Sequence, residues 1–330
     1  MESQRIKAHI LAVAFMLIGC LGVQATNEDL ITQQITVKLS EAGTLSSRIG
    51  SSKKYKITNL KIIGEINGTD IVFIRDMAGR GTYEKLTTDG GKLCILDLSE
   101  SKIIYGEEVY YHSNNYSCHT GDNKIGGCMF KDCNSLTSIK IPESVTWIGY
   151  DAFCGCSGLN NIDIPQSVKH IGGHAFEGCS GLTNINIPDS ITSIECNAFA
   201  GCCGLTNINI PQSVTKIEKA AFQNCSGLKS ITVHWDEPIS IEDQVFDSET
   251  KQKCILYIPQ GTYQDYWLSN WGDFDNIVEY DPAGINNPTT QENAHETEYY
   301  SVSGQRTANP MNGLNIVKYD NGIVKKVVVK

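Results

Sequence analysis

The 330 residues are enough for about two folded units at ~150 residues each, although a repeat array stretches one unit over most of such a length. Hydrophobic residues make up 41% of the chain and charged residues 19%, enough apolar sequence for a core and too little charge for a disordered, solvating protein. With 27 Lys and Arg against 37 Asp and Glu the net charge is -10, a field that repels phosphate backbones and argues against nucleic acid as a partner.

Residues 1–25 place Arg5 and Lys7 ahead of an apolar run from Ala8 to Val23, the pattern of a secretory signal peptide. The run is shorter than the ~20 residues a bilayer-spanning helix needs, and no other segment approaches that length, so no transmembrane span is expected. Two processing sites are open: Val23-Gln24-Ala25 suits cleavage after Ala25, whereas Leu17-Ile18-Gly19-Cys20 resembles the lipobox of bacterial lipoproteins, with Cys20 as the lipid anchor.

Residues 26–124 hold irregular leucine-rich stretches, ITNLKIIGEINGTDIVFIRDMAG and GKLCILDLSESKII, which read as an N-terminal cap region. A helix is expected over Asp70 to Met77 after an Asn-Gly-Thr turn, capped by Asp70 or Thr69.

From Ile125 a strict period begins. Units of 23 residues start at Ile125, Ile148, Ile171, Ile194 and Ile217 without a gap, the signature of a solenoid. Each of the first four carries L-x-x-I-x-I-P, as in Leu159, Ile162, Ile164 and Pro165, which puts both isoleucines on one face of a short strand that Pro ends. One unit alone cannot bury its apolar face; stacking equivalent strands into a parallel sheet does so, with the recurring Ile, Phe, Leu and Val filling the space behind.

The column Cys133, Cys156, Cys179, Cys202 and Cys225 points inward with parallel side chains, a geometry unsuited to disulfides, and is expected to be a ladder of buried free thiols. Cys154-x-Cys156 and Cys202-Cys203 lack the spacing of zinc sites. His170-x-x-x-His174 straddles a repeat boundary and reads as a solvent-exposed pair, so no metal and no cofactor is expected.

Residues 247–280 form a C-terminal cap, with a strand at Tyr257 to Pro259 and an aromatic helix whose Tyr263, Trp267 and Trp271 cover the open end of the core. Residues 281–298 are a polar linker with Pro282 and Pro288. Residues 299–330 alternate β-formers with turn residues, with strands near Tyr299 to Ser303, Leu314 to Tyr319 and Ile323 to Val329 and a turn at Asp320-Asn321-Gly322. This tail carries five basic residues and one acid, against 20 basic and 35 acidic in residues 26–298, so it reads as a separate module.

Residues facing outward between the strand isoleucines, with those after the strand proline, are the candidate ligand-binding set: Lys140, Asn161, Asp163, Asn184, Asn186, Asn207 and Asn209, with Gln166 and Gln212. Amide side chains in such a row donate and accept hydrogen bonds, which suits a peptide backbone or a carbohydrate. The row has no aromatic platform, which disfavours sugar. No nucleophile elbow, metalloprotease helix, phosphate-binding loop or dinucleotide fingerprint occurs, and no enzyme is expected.

The consensus A-F-x-G-C-S-G-L-T-x-I-x-I-P-x-S-V-T-x-I resembles the BspA-like leucine-rich repeats of bacterial surface proteins, over about Ile125 to Phe246, five to six units, with Leu136, Leu159, Leu182, Leu205 and Leu228 in the leucine slot. The tail, through Y-S-V-S-G-Q-R and G-L-N-I-V-K, resembles the C-terminal sorting domain of type IX secretion systems in Gram-negative anaerobes; a small β-domain capping the protein is the alternative. These resemblances imply an α/β repeat fold, a right-handed leucine-rich repeat solenoid with short parallel strands on one face and turns or short 3₁₀ segments on the other, irregular caps and a small C-terminal β-module. They also imply an exported adhesin, at the outer cell surface or secreted, that recognises a protein ligand such as host extracellular-matrix fibronectin or fibrinogen, or mediates coaggregation. A glycan-binding protein of nutrient uptake and a structural envelope protein are the alternatives.

Overall fold

The computed structural model describes residues 30–82, 91–113, 116–242, 244–280, 296–301, 306–310, 313–319 and 323–329. The expected leader with Cys20, residues 281–295 of the expected linker and the Asp320-Asn321-Gly322 turn lie outside them.

The N-terminal flank runs through strand β1 (Ile35–Lys38), short helices α1 (Leu45–Ile49) and α2 (Ser51–Lys54), strand β2 (Asn59–Ile66), helix α3 (Gly68–Met77), strand β3 (Ile95–Ile103), and the antiparallel pair β4 (Gly106–His112) and β5 (Ser117–Thr120). Strands β1, β2 and β3 pair in parallel, so the flank has the strand geometry of the repeats without their period. The cap of α3 is Asn67, which corrects the expected Asp70 or Thr69. The Asn67 side chain accepts from Thr69 N–H at 3.0 Å while the Asp70 carboxylate reaches back to Asn67 N–H at 3.1 Å, a reciprocal capping box. Asp70 is buried because its carboxylate also accepts from the amides of Gly43 and Leu45 at 2.6 and 3.0 Å.

The repeats follow as β6 (Lys124–Ile125), β7 (Ser138–Lys140), β8 (Trp147–Ile148), β9 (Asn161–Asp163), β10 (Ser193–Ile194), β11 (Asn207–Ile210), β12 (Lys216–Ile217) and β13 (Ser230–Val233). Period-two alternation holds: Ile139, Ile162, Ile185, Ile208 and Ile231 are buried and their neighbours face outward. On the opposite side, where turns or 3₁₀ segments were expected, the two-residue strands pair β6 with β8 and β10 with β12, and an Ile148–Ile171 bridge carries the first pair one winding further, so this second ladder is interrupted before β10. The described residues from Ile125 to Phe246 contain no helix; the helices lie before and after them.

Behind the second ladder each unit turns through a left-handed residue, Cys128, Asp151, His174, Asn197 and Ala220 at φ 54° to 59°. The turn then buries a phenylalanine. Phe130, Phe153, Phe176, Phe199, Phe222 and Phe246 stack as one column with ring centroids 5.2 to 5.5 Å apart. The last step is 24 residues, so a sixth unit joins the stack although it has lost the consensus. The amides of the first five donate to the carbonyl of the next unit, as Phe176 to Ala198 at 2.8 Å. In the opposite direction, the thiols of Cys156, Cys179, Cys202 and Cys225 donate to the carbonyls of Phe130, Phe153, Phe176 and Phe199 at 2.9 to 3.2 Å. The expected thiol ladder is therefore present, with all five column cysteines free and fully buried.

This directional ladder leaves the first unit's carbonyls without a preceding winding. Arg75 of α3, 1% exposed, sends Nη1 to the ladder carbonyls of Met129 and Lys131 at 3.1 and 3.4 Å and to Cys128 O at 2.9 Å, the Tyr110 hydroxyl donates to the ladder carbonyl of Gly127 at 2.8 Å, and Arg80 Nε reaches Asp132 O at 2.9 Å. At the far end the Asp247 carboxylate accepts from Asn224 N–H at 3.1 Å. Cations thus cover the carbonyl end and an anion the amide end, the rule familiar from helix termini.

The C-terminal flank adds helix α4 (Ser248–Lys253), strand β14 (Ile255–Pro259), helix α5 (Tyr263–Trp267), a 3₁₀ turn (Asn270–Asp273) and strand β15 (Asn276–Tyr280). Trp271, Tyr266 and Phe274 close the core. Tyr263 and Trp267, expected to do so, are only half-buried. The tail supplies β16 (Glu296–Ser301), β17 (Arg306–Thr307), β18 (Gly313–Tyr319) and β19 (Ile323–Val329). Its β19 pairs antiparallel with β15, Ile277 opposite Val324, so the tail strands extend the repeat sheet instead of standing apart from it.

Candidate functional site

The outward strand face consists of two rows fixed by parallel register. The first runs Asn59, Ile95, Ser138, Asn161 and the second Lys61, Asp97, Lys140, Asp163. Beyond a break, Asn207 and Asn209 of β11 face Ser230 and Thr232 of β13. All nine expected ligand-binding residues, Lys140, Asn161, Asp163, Gln166, Asn184, Asn186, Asn207, Asn209 and Gln212, are exposed. Asn184 and Asn186 are not in a strand: residues 182–188 lie between the two sheets, and the strand ladder stops there.

The two halves of the face differ in electrostatics. In the N-terminal half charge alternates along the second row, with Lys61 Nζ 3.9 Å and Lys140 Nζ 3.7 Å from Asp97 Oδ2. Burial of Asp97 works against its ionisation, yet hydrogen bonds from Ser99 and the two lysines hold its carboxyl below the usual value. The C-terminal half presents neutral amides and hydroxyls. Sequence reasoning missed Asp97 and Lys61 because they lie in the flank, where no period marks which residues face outward.

A cleft of about 580 Å³ opens at the C-terminal end of this face. It brings together the expected Asn209 and Gln212 with Asp189, His234, Asp236 and Tyr280. His234 Nε2 lies 2.6 Å from Asn209 Oδ1, and the Tyr280 hydroxyl lies 2.5 Å from His234 Nδ1. Burial lowers the His234 pKa, with Asp189 opposing, so the imidazole is held toward its neutral form. The sequence did signal this residue: His234 stands where the preceding units have Pro142, Pro165, Pro188 and Pro211. The other expected sites stay spread along the ladder and are not gathered into one pocket.

His170 and His174 are not the solvent-exposed pair expected. The His170 ring stacks on Trp147 at 3.5 Å between centroids, and His174 Nδ1 lies 2.5 Å from Glu177 Oε2.

Residues 123–253 match the family model of the BspA type Leucine rich repeat region in six copies. Comparison with curated proteins finds no match. Among solved structures, a Treponema pallidum leucine rich repeat protein is 27% identical over 48% of this chain and 62% of its own, with a TM-score of 0.33. A leucine-rich repeat protein from Bacteroides ovatus is 25% identical over 54% of each chain, with a TM-score of 0.36. The pneumococcal vaccine antigen PcpA is 16% identical over 76% of this chain and 66% of its own, with a TM-score of 0.39. The chain thus spans 62% and 54% of the length of the first two. No helix among the described residues is long and apolar enough to cross a membrane. The matched span of residues 123–253 takes in all six rings of the phenylalanine stack, and this repeat region, similar to the BspA type, lies inside a longer run of parallel strands.

Proposed function

We propose that this chain is a non-enzymatic, exported surface protein that binds another protein along the outward strand face, as an adhesin. One observation carries the reading: from Asn59 to Thr232 the strands bury most of their isoleucines and leucines and leave a long face rich in exposed amides, with Ile95 exposed among them and the buried Asp97 held between Lys61 and Lys140. An extended polypeptide matches such a face, because its repeating amides meet a side-chain donor or acceptor at every winding. The leader at residues 1–25 and the basic tail support export and surface attachment through a type IX-like route. N-terminal analysis of the secreted protein separates cleavage after Ala25 from acylation at Cys20.

The test is binding of the full chain to immobilised fibronectin and fibrinogen, beside the triple variant Asn161→Ala, Asn184→Ala, Asn207→Ala. Saturable binding that the variant loses, with an unchanged thermal melt, is the expected result. Binding that survives all three substitutions removes the strand face from the mechanism. Binding to neither protein removes the matrix-adhesin reading and leaves a structural envelope role.

The cleft favours a second reading, recognition of a glycan. Tyr280 and His234 provide ring surface, and Asp189 and Asp236 provide carboxylate acceptors for sugar hydroxyls, which the strand rows alone lack. Glycan-array binding abolished by Asp236→Asn but indifferent to the triple variant would assign ligand recognition to the cleft.

A further inference from the structure

We propose that Asp151, His174 and Glu177 form a binding site for a divalent transition-metal ion of the Zn²⁺ class, on the turn side of the solenoid, away from the strand face. The stack itself brings the three side chains together. Asp151 and His174 occupy equivalent left-handed positions of consecutive windings, at φ 56° and 57°, and Glu177 follows His174 by three residues in the same turn. Carboxylate oxygens of Asp151 and Glu177 and an imidazole nitrogen of His174 all lie within 4.8 Å of one another. Metal bonds of about 2.0–2.2 Å place tetrahedral ligands roughly 3.5 Å apart, so closure on an ion requires side-chain adjustment and no backbone movement. Two carboxylates and an imidazole without a thiolate are a donor set that Zn²⁺ accepts, and three protein ligands leave a position for water. Asp151 is buried, whereas the His174 and Glu177 side chains are 21% and 40% exposed, which gives the ion a way in.

The repeat does not require these residues for packing. Along the left-handed column the windings carry Cys128, Asp151, His174, Asn197 and Ala220; along the column three residues later they carry Lys131, Cys154, Glu177, Ala200 and Gln223. Alanine suffices in both columns, yet the carboxylates and the imidazole fall together in the second and third windings. One ammonium competes for the site: Lys131 Nζ lies 3.0 Å from Asp151 Oδ2. An arriving ion displaces it from that oxygen, so affinity is lower than three ligands would otherwise give and removal of Lys131 raises it.

The repeat also supplies conservative test substitutions: Asp151→Asn and His174→Asn copy Asn197, and Glu177→Ala copies Ala200. Metal-free, untagged full chain is titrated with ZnCl₂ by calorimetry and with CoCl₂ by visible absorption, and each variant is checked by its thermal melt. One equivalent of metal is expected, with cobalt d–d bands and no thiolate-to-cobalt charge transfer. Binding weakens by at least about tenfold in each variant, tightens in Lys131→Ala, and is unchanged in His170→Ala. No binding overturns the proposal. So does binding indifferent to His174→Asn, or a thiolate charge-transfer band, which would place the ion on cysteines.

Discussion

Phe176→Ala removes the third of six stacked rings, at the winding where the strand ladder is interrupted. Phe176 is fully buried, with Phe153 at 5.2 Å and 7° on one side and Phe199 at 5.5 Å and 2° on the other. Truncation of a buried Phe costs about 3–5 kcal/mol, and the loss of two ring contacts worth about 0.5–1.5 kcal/mol each places this one toward the upper end. Since β9 and β11 belong to different sheets, the ring stack and the turn-side hydrogen bonds carry much of the coupling between the two halves. In a solenoid, stability is a sum of unit and interface terms, so the variant is expected to unfold at lower urea and in a broadened or split transition. With an m-value near 3 kcal/mol/M, a loss of about 4 kcal/mol lowers the midpoint by roughly 1.3 M. Phe176→Leu, which keeps an apolar side chain, is expected to lose less than half as much. The assay is urea unfolding followed by far-UV circular dichroism. A single transition displaced by less than about 1 kcal/mol, or equal losses in the two variants, would refute the ring stack as a source of cohesion.

Four further outcomes follow from the same geometry. In native protein without reductant, alkylation should modify the exposed Cys203 and spare Cys133, Cys156, Cys179, Cys202 and Cys225, where burial raises the pKa, to about 11 for Cys133 and about 12 for Cys225; all five should react after denaturation alone, as mass spectrometry will read. Arg75→Met should cost about 1–3 kcal/mol in urea unfolding, because it leaves the carbonyl of Met129 without its donor while Cys128 O keeps the Lys131 N–H, and Arg75→Lys should recover only part of that. His170 and His234 both have pKa values lowered by burial from 6.5, so the unfolded chain binds more protons and stability falls as pH drops below 6.5 through the lowered folded values; His234→Gln should flatten that fall in melts at stepped pH. Truncation after Tyr280 removes β19 and bares the β15 edge at Asn276 to Val278, and light scattering should report self-association that the full chain lacks.

The repeat made the central fold legible because one period specified inward and outward positions for every unit at once. Its limit is visible in two identical segments. Leu182 to Pro188 and Leu205 to Pro211 both read L-T-N-I-N-I-P, yet the second contains strand β11 and the first contains no strand. Propensity and pattern are the same, so the difference lies in how closely adjacent windings approach, which no local window encodes. The flanks were obscure for another reason. Arg75 lies in the helix expected over Asp70 to Met77, and its task becomes apparent only once the ladder's direction shows which carbonyls of the first winding, Met129 and Lys131, lack a partner from a preceding one.

The candidate sites divide along the same line. Exposed amides such as Asn161 and Asn207 could be named from alternation, whereas Asp97 joins Lys140 through a pairing of β3 with β7 that crosses from the irregular flank into the first regular unit. Two departures from the consensus were the legible clues to the remainder. His234 at a proline position marks the cleft, and Asp151 and His174 at positions where Ala220 suffices mark the cluster on the turn side. In a solenoid, a residue that matches its column is explained by stacking alone. Evidence of a specific function therefore has to come from positions where one winding carries chemistry that its neighbours show the fold does not need.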